Sequence, residues 1–432
     1  MKIAILGYSL EGRSSYEYFA AQGDHELTIC DADPSTDVPA GAASVLGPAY
    51  LDDLERFDLL VRTAGLSPAL ILDKNPGAAG KITSNTDEFL KVCPTKNVIG
   101  VTGSKGKGTT STLISLMLQA AGKSVRLGGN IGLPALDMLP SITADSWVVL
   151  ELSSFQLIDI QASPHIGVCL MVVPEHLNWH LTLDEYIASK ARLFTHQHPE
   201  DIAVYFAENE VSKQIANAGS GKKVPYLAPP GATVTDNAIT IGSQTICKTG
   251  ELKLLGKHNW QNACAAVTAA WQVTQDVKAL RSVLTSFSGI EHRLEFVREL
   301  DGVKYYDDSY GTAPETAMVA IEAFERPVIA ILGGRTKGIP FDELARFVAE
   351  RDLKQVITIG ETGPEIAGLL RKNGYDRVVE GGKNIEEIVR QARESAAPGD
   401  IVLLSTACTS FDMFKNYKER GERFTKAVQA LV

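Results

Sequence analysis

Short, almost unbroken apolar runs recur along the chain, at 3–6, 59–62, 97–101, 147–152, 166–173, 202–206, 328–334, 355–360 and 400–405. Runs of about four to eight such residues without strict alternation fit strands buried on both faces. Between them lie stretches with helical spacing of apolar residues, for example 12–22 and 259–274. Strand and helix patterns in alternation predict parallel sheets covered by helices, an α/β fold. The element order divides the chain into three: a Rossmann-like unit over 1–91, a central βα series over 92–292, and a Rossmann-like unit over 293–432 that opens on the strand in KYYDDS. Within the central part, 216–252 is rich in Gly, Thr and Pro and reads as short strands and turns.

Composition narrows the class. At 432 residues the chain exceeds one ordinary core. A net charge of −10 argues against general nucleic-acid or anionic-membrane binding. Six cysteines without a C-x-x-C pair, mostly in apolar runs, suit buried thiols in a reducing compartment. The start MKIAILGYS enters a strand at once, leaving no room for a signal peptide, and no apolar run is long enough for a membrane span. A cytoplasmic protein, expected to be monomeric, follows.

The stretch IGVTGSKGKGT (99–109) changes the picture most. A strand runs into a glycine-rich turn, and a helical pattern starts at Thr109. Gly103 and Gly106 let the backbone bend so that several N–H groups face one point. The helix's positive end and Lys107 complete a cradle for a polyphosphate, as in a P-loop ATPase sheet. Gly103, Ser104, Lys105, Gly106, Lys107, Gly108 and Thr109 are therefore candidate ATP contacts. The stretch departs from G-x-x-x-x-G-K-[ST] at Val101 and at Gly108, where a hydroxyl residue is usual. The competing reading is a plain turn between a core strand and a helix.

Other constellations follow strand ends. Glu151 closes an apolar strand, where a carboxylate is costly unless it meets a cation; Mg²⁺ on nucleotide phosphates would suit it, and so would a lysine. His176 lies where the next strand gives way to a loop, a second candidate metal ligand with His180 as neighbour, although single loop histidines usually mark polar surface. Lys190 falls on the following helix, where lysines are ordinarily solvated. Asn259 and Asn262 share a helix face and suit adenine edges or a cap. The turn at 7–12, GYSLEG, has Ser9 in place of the middle glycine of the dinucleotide fingerprint, which disfavours NAD and a dehydrogenase. A nucleotide diphosphate held differently stays open, as does an unliganded turn. LGGRTKG (332–338) and STACTSFDMFKNYKERG (405–421) offer hydroxyl and cationic groups suited to a carboxylate.

Together TGSKGKGT, GGNIGLP, ELSSFQL, EHLNWH…SKARLF, GKHNWQN, EHRLE, DDSYGTAPET and STACTSFDMFKNY resemble the Mur ligases, in order and over the whole chain. The resemblance implies three α/β domains, for the UDP end of the substrate, for ATP and for the incoming amino acid. It implies an ATP-dependent ligase joining D-glutamate to UDP-N-acetylmuramoyl-L-alanine through an acyl phosphate, in peptidoglycan precursor synthesis. Lys107 and the 103–109 loop would hold ATP phosphates, with Asn262, Arg293 and Asp308 as further ATP contacts. Two Mg²⁺ ions are implied, with Thr109, Glu151, His176 and a carbamylated Lys190 as ligands. Gly7, Ser9, Asp31, Asn130 and Ser153 would meet the UDP substrate. Thr312, Lys337, Ser410 and Tyr417 would grip glutamate.

Three positions depart from the family pattern. Gly108 replaces the hydroxyl after the lysine, so Thr109 or water must serve. Tyr310 stands where a lysine is common, which leaves L-glutamate as an alternative. VPEHLNWH carries Asn178 where an aspartate is common. A folylpolyglutamate synthetase is the nearest rival, disfavoured by the residues preceding Val98; a P-loop ATPase without ligase activity is the rival from another class.

Overall fold

The computed structural model describes residues 1–176, 179–254, 256–336 and 339–432, the side chain of Glu315 excepted. It forms two compact units, Met1–Phe287 and Ser288–Val432. The boundary expected at 292/293 falls just inside the second; that expected at 91/92 falls within the first, before its second sheet.

In the first unit, β1 (Lys2–Leu6), β2 (Glu26–Asp31), β3 (Ala43–Leu46), β4 (Leu59–Arg62) and β5 (Ile82–Ser84) form a parallel sheet in the order β3-β2-β1-β4-β5. The order turns back at β1, and the 7–12 turn leaves its carboxyl end, where open α/β sheets take ligands. A second parallel sheet follows: β6 (Val98–Thr102), β7 (Val125–Gly129), β8 (Trp147–Glu151), β9 (Ile166–Cys169), β10 (Ile202–Phe206) and β11 (Lys222–Tyr226), in the order β11-β10-β9-β6-β8-β7. Every residue of β6 is buried, which is why it reads as a continuous apolar run. Ile99 and Val101 pack with Leu113 and Ile114 of the helix Lys107–Ala120.

Two features depart from the sequence reading. The apolar run ending at Val173 leaves the ladder at Cys169, because its backbone turns to the phosphate loop: Ser104 N–H donates to Met171 O at 2.8 Å and Val173 N–H to Ser104 Oγ at 2.9 Å. Pairing is also not parallel throughout. β12 (Thr233–Thr235), β13 (Ala238–Ile241) and β14 (Gln244–Lys248) form an antiparallel sheet. The two-residue turn Asp236-Asn237, at φ 52 and 56, allows a hairpin but no crossover.

The second unit has β15 (Glu295–Leu300), β16 (Val303–Asp307), β17 (Val328–Gly333), β18 (Gln355–Ile359), β19 (Val378–Glu380) and β20 (Ile401–Leu404), in the order β15-β16-β20-β17-β18-β19. All neighbours are parallel except β15 and β16, which the tight Asp301-Gly302 turn joins. Among the described residues, no helix is long and apolar enough to cross a membrane.

Candidate active site

The phosphate loop leaves the carboxyl end of β6. Gly103 (φ 147) and Gly106 (φ 86) hold backbone conformations that side chains disfavour. A Cβ on Gly103 would come within 2.6 Å of Leu170 Cβ, and one on Gly106 within 2.2 Å of Asn262 Oδ1. The loop is thus pressed between the segment after β9 and the helix Lys257–Trp271, whose Asn262 amide donates to Asn259 Oδ1 at 3.1 Å. The next helix starts at Lys107, two residues before the expected Thr109, with Gly106 as a cap that supplies no side-chain acceptor. Its first N–H groups can be satisfied by an anion.

Two lysines converge on this loop. Lys107 Nζ donates to the carbonyls of Gly103 (3.1 Å) and Ser104 (3.0 Å), and Lys190 Nζ donates to the same Gly103 carbonyl at 3.0 Å. Lys190, on the helix Leu183–Thr195, is only 2% exposed. It is therefore not a solvated helix lysine. Burial, reinforced by the nearby Lys107 charge, brings its amine down to about 7.

Oxygen donors surround the same strand ends. Glu151 is buried; its Oε1 accepts from Asn130 Nδ2 at 2.7 Å, while Oε2 has no partner among the described residues. Thr102 Oγ1, at the end of β6, and Thr110 Oγ1, in the first turn of the following helix, are likewise buried without partners among the described residues. Carboxylate and hydroxyl oxygens left unsatisfied suit a hard cation such as Mg²⁺. Thr109 itself is half-buried. The loop after β9 carries His176 at φ 58, its exposed ring 4.9 Å from that of Phe155. Glu175 ties this loop to the phosphate loop through Lys105 at 2.6 Å. His180, the expected neighbour of His176, is not polar surface: it is buried, its Nε2 lies 2.9 Å from Ser154 Oγ, and burial lowers its pKa to about 4. Asn178 lies outside the described residues.

The positions assigned to the UDP substrate occupy two groups. Asp31 closes the 7–12 turn, accepting from Tyr8 N–H at 2.6 Å and Asp33 N–H at 2.9 Å, and Ser9 lies exposed before the helix Leu10–Ala20. Asn130 and Ser153 flank Glu151. The groups are linked by residues the sequence did not single out. Glu11 accepts from Gln156 Nε2 at 2.6 Å and Ala64 N–H at 2.9 Å, and Gln156 Oε1 accepts from Ser153 N–H and Oγ at 3.0 and 3.1 Å. Arg62, buried at the end of β4, grips Asp159 at 2.5 and 2.9 Å and the Phe155 carbonyl at 2.7 Å. A charged residue closing an apolar strand was the available signal.

In the second unit, Asp308 follows β16 and is buried; it accepts from Leu294 N–H at 3.1 Å and Ser405 Oγ at 2.7 Å, and burial raises its pKa to about 7. Arg293 is exposed, its guanidinium 5.7 Å from the Tyr310 ring centre. Tyr310 in turn meets Tyr417 edge to face at 5.4 Å. Thr312 is half-buried and Ser410 buried. The loops after β17 and β20, distant in sequence, are joined where Arg335 and Thr409 exchange backbone hydrogen bonds at 3.0 Å. Lys337 lies outside the described residues.

Two family models match, the Mur ligase middle domain over residues 101–270 and the Mur ligase glutamate ligase domain over 292–408. A UDP-N-acetylmuramoylalanine–D-glutamate ligase of Symbiobacterium thermophilum is 38% identical, covering 100% of this chain and 98% of that protein. One of Clostridium tetani is 35% identical over 100% and 97%. Among solved structures, the MurF ligase of Thermotoga maritima in complex with ADP shares the fold at a TM-score of 0.55 and 17% identity, over 99% of this chain and 95% of that one. Identity sustained end to end, through both matched domains, means that the chain belongs to the Mur ligase family.

Proposed function

We propose that the protein is an ATP-dependent ligase that adds D-glutamate to UDP-N-acetylmuramoyl-L-alanine in peptidoglycan precursor synthesis, acting as a cytoplasmic monomer. The observation that carries this reading is the buried Lys190 amine set on the phosphate loop beside Lys107. Binding and cleaving ATP does not by itself call for that second lysine. The relatives' activity supplies the substrates.

In this reading 1–91 takes the UDP end through Gly7, Ser9 and Asp31, with Asn130 and Ser153; 92–292 takes ATP; and 293–432 takes glutamate through Thr312, Lys337, Ser410 and Tyr417. Residues 103–109 cradle the phosphates and Asn262, Arg293 and Asp308 contact the rest of ATP. Glu151, Thr109, His176 and a carbamate on Lys190 would hold two Mg²⁺ ions, which when bound neutralise crowded phosphate oxygens. The substrate carboxylate attacks the γ-phosphorus and the bond to the β-phosphate oxygen breaks, giving an acyl phosphate and ADP. The glutamate amine then attacks the acyl carbon, loses a proton, and phosphate departs as the amide forms. Lys107 moves from loop carbonyls to phosphate oxygens, and the loop N–H groups fix the phosphoryl group in line.

Phosphate release measured with each component omitted tests this. Turnover is expected only with ATP, UDP-N-acetylmuramoyl-L-alanine and glutamate together, and with the D form. Equal turnover on a folate acceptor, or a preference for L-glutamate, would overturn the assignment at the acceptor or the amino acid respectively.

A further inference from the structure

Arg293 and Asp308 each follow directly on one member of a hydrogen-bonded pair. His292 Nδ1 lies 2.7 Å from Asp307 Oδ2, with Asp307 fully buried and His292 nearly so. The surrounding backbone is fastened to the same two residues. Ser309 N–H donates to Asp307 Oδ1 at 2.8 Å, Tyr310 N–H to the His292 carbonyl at 2.8 Å, and His292 N–H to Glu295 Oε2 at 2.7 Å. His292 and Leu294, on either side of Arg293, both sit at positive φ (61 and 46). Backbone of that kind persists only where its surroundings hold it.

The helix Tyr417–Gln429 closes over the pair. A Cβ on Gly421 would fall 2.2 Å from His292 Nδ1 and 2.6 Å from Asp307 Oδ2, so only glycine lets the helix come this close. Arg420, buried, donates to Ser309 Oγ and to the Ser309 carbonyl at 2.8 Å each, and Ser309 Oγ donates to the Tyr417 carbonyl at 2.8 Å. His292, Glu295 and Asp307 also bring potential ligand atoms within 4.8 Å of one another. Those atoms are already engaged, His292 with Asp307 and Glu295 with the His292 backbone, so pairing accounts for the cluster without a metal.

We propose that His292 and Asp307 are positioning residues for the ligase reaction. The pair, locked by Arg420 and the close approach at Gly421, sets Arg293 and Asp308 for the nucleotide and Tyr417 for glutamate in one register. The inference rests on the functional reading above.

Steady-state kinetics of the full chain test it, varying each substrate in turn. His292→Ala is expected to raise KM for ATP and for glutamate by about tenfold each, the loss of one charge-assisted hydrogen bond. KM for UDP-N-acetylmuramoyl-L-alanine should stay unchanged, because its assigned contacts lie in the first unit. His292→Asn, which keeps a donor near the Nδ1 position, should restore most of both. A residue needed only for folding would lower the active fraction, and so kcat, without moving either KM. Unchanged KM values for ATP and glutamate in the alanine variant, or no recovery in His292→Asn, overturn the inference. If the alanine variant does not fold, Asp307→Asn carries the test: both KM values should rise, and unchanged values count against the pair. Wild-type turnover with the three substrates keeps the functional reading whatever these variants do, and its absence would sink that reading instead.

Discussion

Lys190→Ala probes the least ordinary group in the molecule. The amine is 2% exposed and donates to the Gly103 carbonyl at 3.0 Å; burial and then the Lys107 charge disfavour the ammonium and bring its pKa down to about 7. Against an ordinary lysine the fold opposes protonation by about 5 kcal/mol. At pH 8 about nine-tenths of Lys190 is neutral, against less than about 1% of a solvated lysine. Only the neutral amine adds CO₂, and the resulting carbamate offers two anionic oxygens of the kind Mg²⁺ takes. Removing it should lower phosphate release at least about 100-fold. Formate, acetate or propionate in the assay should restore part of the rate by placing a carboxylate in the vacated space. Lys190→Arg should show no rescue, since the guanidinium stays charged and fills that space. The sign of the pH effect follows from the lowered pKa: as pH falls through about 7 the amine gains its proton and carbamylation stops. Activity at limiting CO₂ should fall there and recover with bicarbonate. Wild-type protein in ¹³C-bicarbonate should show a carbamate carbon resonance that Lys190→Ala lacks. A fully active alanine variant, or a resonance that survives the substitution, would refute the reasoning.

Lys107→Ala and Glu151→Ala should each cost at least about 100-fold in turnover, since each removes charge compensation at the phosphates; near-normal rates at saturating Mg²⁺ would place the nucleotide elsewhere. Thr109→Ala should raise the Mg²⁺ concentration needed for half-maximal rate; an unchanged requirement would pass the role to the buried hydroxyl of Thr110 or to water. Gly106→Ala should destabilise the chain by about 2 kcal/mol in chemical denaturation and weaken Mg·ADP binding measured by calorimetry, because the residue sits at φ 86 with Asn262 Oδ1 in the way of a Cβ; wild-type values for both would show that the loop yields.

Much of the architecture was legible because strands buried on both faces leave an apolar run whose first polar residue marks the carboxyl end. Glu151 stood out for that reason. The same rule overran at 171–173, where apolar residues continue but the Met171 carbonyl and the Val173 N–H bond to Ser104 of the phosphate loop instead of to a neighbouring strand. The antiparallel pairings were marked only by short turns, Asp236-Asn237 and Asp301-Gly302, which apolar periodicity does not register. Lys190 shares a helix face with the buried Tyr186, Leu193 and Phe194, but a lone lysine on such a face ordinarily extends its amine to solvent; matching motif blocks, not spacing, gave it a role. Arg62 with Asp159, 97 residues apart, and His292 with Asp307 are partners chosen by the fold, and no local pattern encodes them.

The Arg62 contact bears on how freely such a chain could be recombined. The guanidinium has no exposed side-chain surface and serves Asp159, the Phe155 carbonyl and the carbonyls of Thr63 and Leu66. A chimera that exchanged the first ninety-odd residues for another Rossmann-like module lacking this arginine would leave an acidic side chain facing a closed seam with no counter-charge. Breaking a buried pair in that way costs about 3–5 kcal/mol, a large share of a typical domain's stability. The opening segment is therefore less an interchangeable cartridge than a fitted half, and any graft has to carry the arginine and its acceptor across together.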